Sequence, residues 1–337
     1  MKLSVAMCTY NGAQYLREQL ESLASQTRQP DELVVCDDLS SDNTREIIAG
    51  FSRTVPFPVR IYCNNKTLGS TKNFEKAIGL CEGDLIALSD QDDVWCKEKL
   101  RISEEVFFAN PEIGVVFSDG DLVDEQLKPL GFSLWQSNKF GPSEQQLVQR
   151  GKAFDLLLQR VVMTGATMVF RSKFNRFILP IPVSFAQEDF VFLHDGWIAL
   201  LLSAVSEVAF IAEPLFKYRQ HVDQQIGAGA HKIASAVEAK KSSLADILFG
   251  VRARRNSYEA HTSLLKAVRE RMQAHHSQLE LRGAIAKVES LLNHLVVRSE
   301  MPDSRASRLP VVLKEILSFR YFRYSNGLYS AAKDFLA

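Results

Sequence analysis

The chain has 337 residues, of which 46% are hydrophobic and 24% charged, a composition that excludes an intrinsically disordered protein. Its 40 basic and 40 acidic residues cancel, so no global field favours nucleic acid as a partner. The five cysteines include no CxxC pair, which favours reduced thiols in a cytoplasmic protein over a disulfide framework.

Five short apolar runs in the first 117 residues are typical of strands that are buried on both faces. They are Leu3–Met7, Leu33–Cys36, Val59–Tyr62, Leu85–Leu88 and Gly114–Phe117. Segments with helical periodicity lie between them, for example from Tyr15 to Ala24 and from Phe74 to Cys81. This alternation predicts an α/β fold with one mostly parallel, Rossmann-like sheet, flanked by helices because right-handed crossovers place them on both faces.

The middle of the chain is less regular. We expect a helix from Gln145 to Leu158, a strand from Val162 to Phe170 with a close approach at Gly165, and a buried helix from Trp197 to Ser203. These elements are assigned to the same domain, which is predicted to cover residues 1–229.

The pattern changes after Gly229, and residues 230–337 are predicted to form a helical extension. Lys232 to Arg298 should form one to three long helices, Ser299 to Pro310 a break, and Val311 to Phe335 a final amphipathic helix. The basic and aromatic run Arg320–Tyr324 suits a membrane interface, with packing of its rings on the protein as the alternative. No apolar run reaches the roughly 20 residues of a membrane span, and the N-terminus does not resemble a signal peptide, so a cytoplasmic or peripheral protein is expected.

Polar residues follow three of the predicted strands. They are Asn11 after the first strand, Asp37 and Asp38 after the second, and Asp90, Asp92 and Asp93 after the fourth. The carboxyl ends of parallel strands meet at one edge of the sheet, where ligands bind. Carboxylates are preferred by Mg²⁺ and Mn²⁺, so this edge is a candidate cation site for a phosphorylated substrate. The alternative is that these side chains only cap the helices that follow.

Four motifs in this order and spacing resemble the family 2 glycosyltransferases of the GT-A fold. They are Met7–Gly12 (MCTYNG), Val35–Thr44 (VCDDLSSDNT), Asn64–Phe74 (NNKTLGSTKNF) and Asp90–Asp93 (DQDD). The resemblance implies a catalytic domain that binds a nucleotide-diphosphate sugar, and it covers about residues 1 to 229.

The resemblance also implies a binding site for the nucleotide-sugar donor. Asp38 would contact the nucleobase with Thr9 and Asn11 nearby, and Lys72 would belong to the same site. The second motif has Leu39 where the family usually has glycine.

The fourth motif corresponds to the family's DxD element. By resemblance, Asp92 would be the chief ligand of Mg²⁺ or Mn²⁺, and Asp90 would lie by the ribose or the metal. Asp93 is either a further acid of this site or a cap of the next helix.

A later motif, Leu193–Ala199 (LHDGWIA), supplies a candidate base. Inverting glycosyl transfer needs a carboxylate that accepts the proton of the attacking hydroxyl, and the family places it in a dipeptide such as His-Asp at a helix start. Asp195 fits this role. Its alternative is a helix cap, and Glu188 and Asp189 are alternative bases.

The segment Glu213–Gly227 resembles the YRxHxxNxxG stretch of bacterial polysaccharide and O-antigen glycosyltransferases, rhamnosyltransferases among them. Arg219 and His221 are cationic or coordinating groups suited to a departing diphosphate, and His221 is also a candidate metal contact. By resemblance, the turn Thr164–Ala166 would line the acceptor pocket.

The sequence is therefore interpreted as an inverting glycosyltransferase of the bacterial O-antigen type, in which the donor is a UDP- or dTDP-sugar. L-rhamnose is the favoured sugar, and the acceptor would be a hydroxyl of a growing cell-surface or lipid-linked glycan. A non-catalytic nucleotide-sugar-binding or scaffold relative is the alternative. A dehydrogenase is disfavoured because the first turn lacks GxGxxG.

Overall fold

The structure is a computed structural model that describes residues 1–182, 185–187, 190–222, 224 and 251–336. The strands in these residues are β1 (Leu3–Thr9), β2 (Glu32–Asp37), β3 (Val59–Cys63), β4 (Leu85–Ser89), β5 (Val94–Trp95), β6 (Ile113–Val123), β7 (Pro129–Ser133), β8 (Met168–Arg171), β9 (Phe185–Gln187), β10 (Phe190–Phe192) and β11 (Glu207–Arg219). The helices are α1 (Leu16–Ala24), α2 (Thr44–Phe51), α3 (Ser70–Leu80), α4 (Lys99–Ala109), α5 (Leu134–Asn138), α6 (Pro142–Gln149), α7 (Ala153–Leu157), α8 (Asn175–Ile178), α9 (His194–Ser203), α10 (Val251–His275), α11 (Arg282–Ser299), α12 (Arg305–Leu317), α13 (Arg320–Tyr324) and α14 (Leu328–Leu336).

The described residues fall into two compact units. The first holds residues 1–182, 193–222 and 224, and the second holds residues 185–187, 190–192 and 251–336. The predicted domain boundary at residues 229 and 230 lies outside the described residues, so it stays a prediction.

A mixed sheet forms the centre of the first unit, with strand order β3-β2-β1-β4-β8-β6-β11-β5 and β7 paired to β6. The longest pairings are parallel and join β3, β2, β1 and β4 on one side and β6 with β11 on the other. Strand β8 runs antiparallel between β4 and β6. The predicted α/β fold with a mostly parallel sheet is therefore confirmed, and the position of β8 is a feature that the sequence pattern did not reveal.

The core of this unit explains why the apolar runs form central strands. Every residue of β1, β2 and β4 is buried, which is expected for strands that are covered by helices on both faces. Helix α1 packs its stripe of Leu16, Leu20 and Leu23 into the same core. The sheet therefore holds the ends of β1, β2 and β4 rigidly at one edge.

Two predicted elements of the middle region differ in the structure. The helix expected from Gln145 to Leu158 is two helices, α6 and α7, separated by a turn in which Gly151 has a positive φ of 71°. The strand expected from Val162 starts only at Met168, because a 3-10 turn over Gly165–Thr167 precedes β8.

The single final helix expected from Val311 to Phe335 is also wrong. Three helices, α12 to α14, take its place, and the chain turns with positive φ at Phe319 and Gly327. Helix α12 already begins at Arg305 and contains Pro310, so the expected break from Ser299 to Pro310 is shorter than predicted.

The second unit is helical in most of its described residues. Buried Met301, Val312, Tyr321 and Ala331 form one of its apolar clusters. None of the helices in the described ranges combines the length and the apolar content that a bilayer-spanning helix needs.

Candidate active site

The loops that follow β1 and β2 are joined by hydrogen bonds. Thr9 Oγ1 donates to Asp37 Oδ1 at 2.9 Å, and the backbone N–H of Ser40 donates to Asp37 Oδ2 at 2.9 Å. Asn11, with a positive φ of 47°, accepts from the backbone N–H of Ser41 at 2.8 Å. Thr9 and Asn11 therefore lie at the predicted edge and set the shape of the two loops.

Asp38 is buried at the end of β2 and organises the next loop. Its carboxylate accepts from Asn64 Nδ2 at 2.7 Å and from the backbone N–H groups of Leu68 at 2.8 Å and Gly69 at 2.9 Å. A carboxylate offers about four acceptor positions, so three donors leave room for one further contact. The structure thus assigns Asp38 to loop support, and its contact with a nucleobase stays a prediction.

Lys72 lies on α3, close to this loop. Its Nζ is 2.7 Å from Glu75 Oε2 and donates to the backbone carbonyl of Ile181 at 2.5 Å. None of the contacts described for Lys72 reaches the acidic residues after β4. Its assignment to the donor site stays a prediction.

Leu39 takes the left-handed conformation that glycine adopts most easily. Its φ is 68°, and its side chain is 46% exposed, so little packing compensates the strain. We expect Leu39→Gly to raise the free energy of unfolding by roughly 0.5–1 kcal/mol, because relief of a cost of about 1–2 kcal/mol exceeds the added chain entropy of glycine. Urea unfolding measures this change.

Leu39→Ala is the matched control. It keeps Cβ and therefore the left-handed strain, so it should bring no comparable gain. Equal stabilisation by both variants would show that the side chain, rather than the backbone, is unfavourable.

The acidic turn, Asp90–Asp93, follows β4 and is hydrogen-bonded to the loop after β1. Gln91 Oε1 accepts from the backbone N–H of Tyr10 at 2.8 Å, and Gln91 Nε2 donates to the Tyr10 carbonyl at 3.0 Å. A Cβ on Gly12 would lie 2.2 Å from Gln91 Oε1, so glycine permits this approach. Gln91 thus fixes Asp90 and Asp92 beside the first loop, a role that the acidic pattern alone did not indicate.

Burial and mutual repulsion disfavour the ionised form of two carboxylates in the acidic turn. Burial, followed by the charges of Asp92 and Asp195, raises the pKa of Asp90 to about 7. Burial, followed by the charges of Asp92 and Asp90, raises the pKa of Asp93. Asp93 Oδ2 is buried and has no hydrogen-bond partner in the described part of the chain. A cation at this turn would relieve both the repulsion and the cost of burial.

His221 lies directly against the predicted metal ligand. Its Nε2 is 2.8 Å from Asp92 Oδ2, and its ring centroid is 4.8 Å from that of Tyr15. His221 Nδ1 is buried without a hydrogen-bond partner among the residues that are described. The fold thus brings the side chains of Asp92 and His221 together, although they are 129 positions apart in the sequence.

Arg219, predicted as a contact of the diphosphate, is almost fully buried beneath the acidic turn. Its Nε donates to the Asp92 carbonyl at 2.8 Å, and its two terminal nitrogens donate to the Glu18 carboxylate and the Glu125 carbonyl. Its guanidinium carbon lies 4.6 Å from the ring centroid of Tyr15. These contacts favour positioning of the turn over a direct contact with substrate.

Asp195 is the second residue of α9. The N-cap is Leu193, so the simple cap interpretation of Asp195 is wrong. Its Oδ2 accepts from the backbone N–H of Gly165 at 3.2 Å, and its Oδ1 accepts from that of Gly196 at 2.7 Å. The alternative bases Glu188 and Asp189 lie outside the described residues.

His194, which sequence reasoning passed over, supports this region. Its ring is buried and stacks on Phe74 at 4.1 Å between centroids, and burial lowers its pKa. Neither ring nitrogen has a hydrogen-bond partner within the described ranges. A Cβ on Gly165 would lie 3.0 Å from His194 Nε2 and 3.5 Å from Asp195 Cβ. The glycine of the Thr164–Ala166 turn therefore allows α9 to approach closely.

Four acids affect the pKa of Tyr218 on β11. Burial, followed by the charges of Asp93, Asp90, Asp92 and Asp195, raises its pKa well above the usual value. Asp195, although distant in sequence, thus belongs to the same electrostatic environment as the acidic turn. Tyr218 is the first residue of the YRxHxxNxxG stretch, but the sequence assigned a role only to the arginine and the histidine of that motif.

The acidic turn fits a divalent cation that is shared with a substrate. In the described residues, no three His, Cys, Asp or Glu side chains converge as a complete cage. Mg²⁺ is, however, usually held by one or two carboxylates together with substrate phosphates. Asp90 and Asp92 are the carboxylates that would hold such a cation, with His221 Nε2 2.8 Å from Asp92 Oδ2, and Asp93 Oδ2 has no hydrogen-bond partner among the described residues.

Comparison with known proteins finds similarity to glycosyltransferases. The family profile of glycosyl transferase family 2 matches residues 4–166. The dTDP-rhamnosyl transferase RfbG of Shigella flexneri is 28% identical over 66% of this chain and 74% of its own length. An uncharacterised glycosyltransferase of Nostoc is 27% identical over 72% of this chain and 70% of its own length.

A solved structure shows the same fold. The 1–349 fragment of S. aureus TarS in complex with UDP-GlcNAc superposes with a TM-score of 0.56 at 17% identity, over 99% of this chain and 81% of that one. The profile therefore identifies residues 4–166 as a glycosyl transferase family 2 domain, the relatives agree with a glycosyltransferase, and the solved structure shows that the fold is shared.

Proposed function

We propose that this chain is an inverting glycosyltransferase that moves a sugar from a UDP- or dTDP-sugar to a hydroxyl of a growing cell-surface or lipid-linked glycan. The observation that carries the proposal is the hydrogen bond from Gly165 to Asp195, because Gly165 lies in the turn before β8 and β8 pairs with β4, which ends at the acidic turn. The charge of Asp195 is also one of the causes that raise the pKa of Asp90, after burial and the charge of Asp92. A base and a donor site close together are what direct displacement requires.

Binding of the metal ion is assigned to Asp92 and Asp90, with His221 beside them. A bound Mg²⁺ or Mn²⁺ would supply positive charge that stabilises the departing diphosphate. Two hydrogen bonds within the chain orient the acidic turn. Gln91 donates to the Tyr10 carbonyl in the loop after β1, and Arg219 donates to the Asp92 carbonyl. The Asp92–His221 contact keeps both side chains close to the proposed diphosphate position.

Asp195 is assigned as the general base. Its carboxylate accepts the proton of the acceptor hydroxyl while that oxygen forms a bond to the anomeric carbon. The bond from the anomeric carbon to the diphosphate breaks, and its electrons leave with the nucleoside diphosphate. The N–H groups of Gly165 and Gly196 hold the carboxylate in one orientation for this proton transfer.

Gly165→Ala tests the close approach at the base. The added Cβ would lie 3.0 Å from His194 Nε2, so α9 must move by a few tenths of an ångström. We expect turnover to fall about tenfold, since misplacement of catalytic groups by 1 Å costs on the order of a hundredfold. Gly50→Ala, where a Cβ meets open space, is the control, and steady-state kinetics is the measurement. Unchanged turnover in Gly165→Ala would contradict the assignment.

The relatives support dTDP-L-rhamnose as the first donor to test. One of them is a dTDP-rhamnosyl transferase. The acceptor class is supported by a UDP-glucose-dependent enzyme of Escherichia coli named for an N-acetylglucosamine-diphosphoundecaprenol acceptor, which is 29% identical over 36% of this chain. The proposed acceptor is accordingly a hydroxyl on a lipid-linked glycan.

The deciding experiment is release of UDP or dTDP from a panel of nucleotide sugars, measured with and without Mg²⁺ or Mn²⁺ and an acceptor glycan. Acceptor-dependent release from one donor, with inversion at the anomeric carbon seen by NMR, is expected. Retention of configuration would overturn the inverting mechanism. Binding of a donor without release of UDP or dTDP in the presence of any acceptor glycan tested would favour the alternative, a non-catalytic nucleotide-sugar-binding relative.

A further inference from the structure

Helices α12 to α14 present a surface, termed here the terminal surface, on which large apolar side chains face solvent. Of the fifteen exposed large hydrophobic side chains in the described residues, eight lie between residues 309 and 336. They are Leu309, Leu313, Leu317, Phe319, Phe322, Leu328, Tyr329 and Leu336. A concentration of this kind marks an interaction site.

Helix α12 exposes leucine side chains on one face, although part of its buried face is charged. Leu309, Leu313 and Leu317 are spaced by four residues and so share one face, and all three are exposed, Leu317 to 77%. The opposite face buries the charged residues Arg308 and Glu315, the latter to 1% exposure. A helix face that meets water is normally polar. The outer face of α12 is therefore suited to an apolar environment.

The apolar surface continues beyond α12. The ring of Phe319, just after this helix, lies 6.0 Å from that of Phe322 on α13. The Phe322 ring in turn lies against the turn at Gly327, where a Cβ would be 3.1 Å from Phe322 Cδ1. Exposed Leu328 follows this turn at the start of α14. The exposed side chains thus follow one another from α12 to α14.

The charges of this segment have one sign at the surface. Residues 305–336 contain six basic and two acidic side chains, although the whole chain has no net charge. Both acids are turned inward: Glu315 pairs with His294 and Arg320, and Asp334 pairs with Arg298. The exposed charged side chains are Arg305, Lys314 and Arg323, all basic.

We propose that the terminal surface binds a lipid bilayer that contains anionic phospholipid, with the leucine and phenylalanine side chains in the interface and the basic groups at the headgroups. Apolar and basic side chains together match the two parts of such a bilayer. A second copy of the chain fits less well, because self-association through this surface would bring like charges together. The inference is independent of the donor and the reaction proposed above.

The test is co-sedimentation of the whole chain with vesicles of phosphatidylcholine alone or with about 30% phosphatidylglycerol. We expect binding to the anionic vesicles that weakens as salt is raised, because exposed charges are screened. Lys314→Gln with Arg323→Gln should weaken this binding by about 25-fold, on the basis of about fivefold for each cation. Leu313→Gln with Phe322→Gln should weaken it at least tenfold.

Phe108→Gln is the matched control, since Phe108 is 63% exposed on α4 of the first unit. It should bind vesicles as the wild type does, as should Asp92→Asn, which separates this inference from the proposed catalysis. Circular dichroism shows whether each variant is folded. Absence of binding to anionic vesicles, or equal losses in Phe108→Gln and the double variants, would overturn the proposal. So would a wild-type dimer in light scattering that Leu313→Gln with Phe322→Gln dissociates.

Discussion

Replacing Asp92 by asparagine is expected to lower sugar transfer by about a thousandfold, because a metal contact at the diphosphate contributes several kcal/mol to stabilisation of the transition state. Asparagine has nearly the same size, and its amide oxygen can still meet His221 at the position of Asp92 Oδ2. The variant should therefore fold normally while its affinity for Mn²⁺ falls. Isothermal titration with Mn²⁺ and UDP, together with steady-state kinetics, measures both effects.

Removal of metal provides an independent comparison. EDTA should bring the wild type down to nearly the activity of Asp92→Asn and change the variant little. Glu46→Gln, which removes an exposed carboxylate on α2, is the control for loss of charge alone and should keep full activity. If Asp92→Asn kept wild-type turnover and metal dependence, the acidic turn would have to be assigned to loop structure.

Much of the first unit could be predicted from sequence because its signals are local. Strands β1, β2 and β4 are apolar runs buried on both faces, whereas β3 lies at the end of the strand order and is partly exposed. The carboxyl ends of parallel strands meet by geometry, so the edge with Thr9, Asp38 and Asp90 follows from the strand order. Strand β8 has only four residues, and its insertion between β4 and β6 depends on pairings that are distant in the chain. No periodic pattern encodes such a pairing.

The candidate site shows the same division. The resemblance singled out both Asp92 and His221, and the structure places them 2.8 Å apart. The resemblance did not indicate that the Arg219 guanidinium is buried against Glu18. That contact joins residues 201 positions apart, and neither residue type predicts the other as its partner. Leu39 is instructive in a different way, since a bulky residue occupies a left-handed turn that the family's usual glycine would adopt without strain. A motif identifies the positions of candidate site residues, and their tertiary contacts determine which side-chain atoms remain available to a substrate or a metal.

Replacing Asp195 by asparagine is expected to lower transfer by about 10³- to 10⁴-fold while donor affinity stays within about threefold of the wild type. The amide oxygen can accept the N–H groups of Gly165 and Gly196 as the carboxylate does, but it cannot take up the proton of the acceptor. The loss should therefore appear in kcat. Asp92→Asn should instead weaken donor and metal binding as well.

This contrast separates the two carboxylate roles. Removal of the Asp195 charge also removes one of the causes that raise the pKa of Asp90, so donor and metal binding in Asp195→Asn should be unchanged or slightly stronger at neutral pH. Wild-type turnover in Asp195→Asn would move the search for the base to Glu188 and Asp189. A parallel loss of metal affinity would mean that Asp195 belongs to the cation site itself, because removal of a base that touches only the acceptor has no reason to weaken the binding of a metal to Asp92.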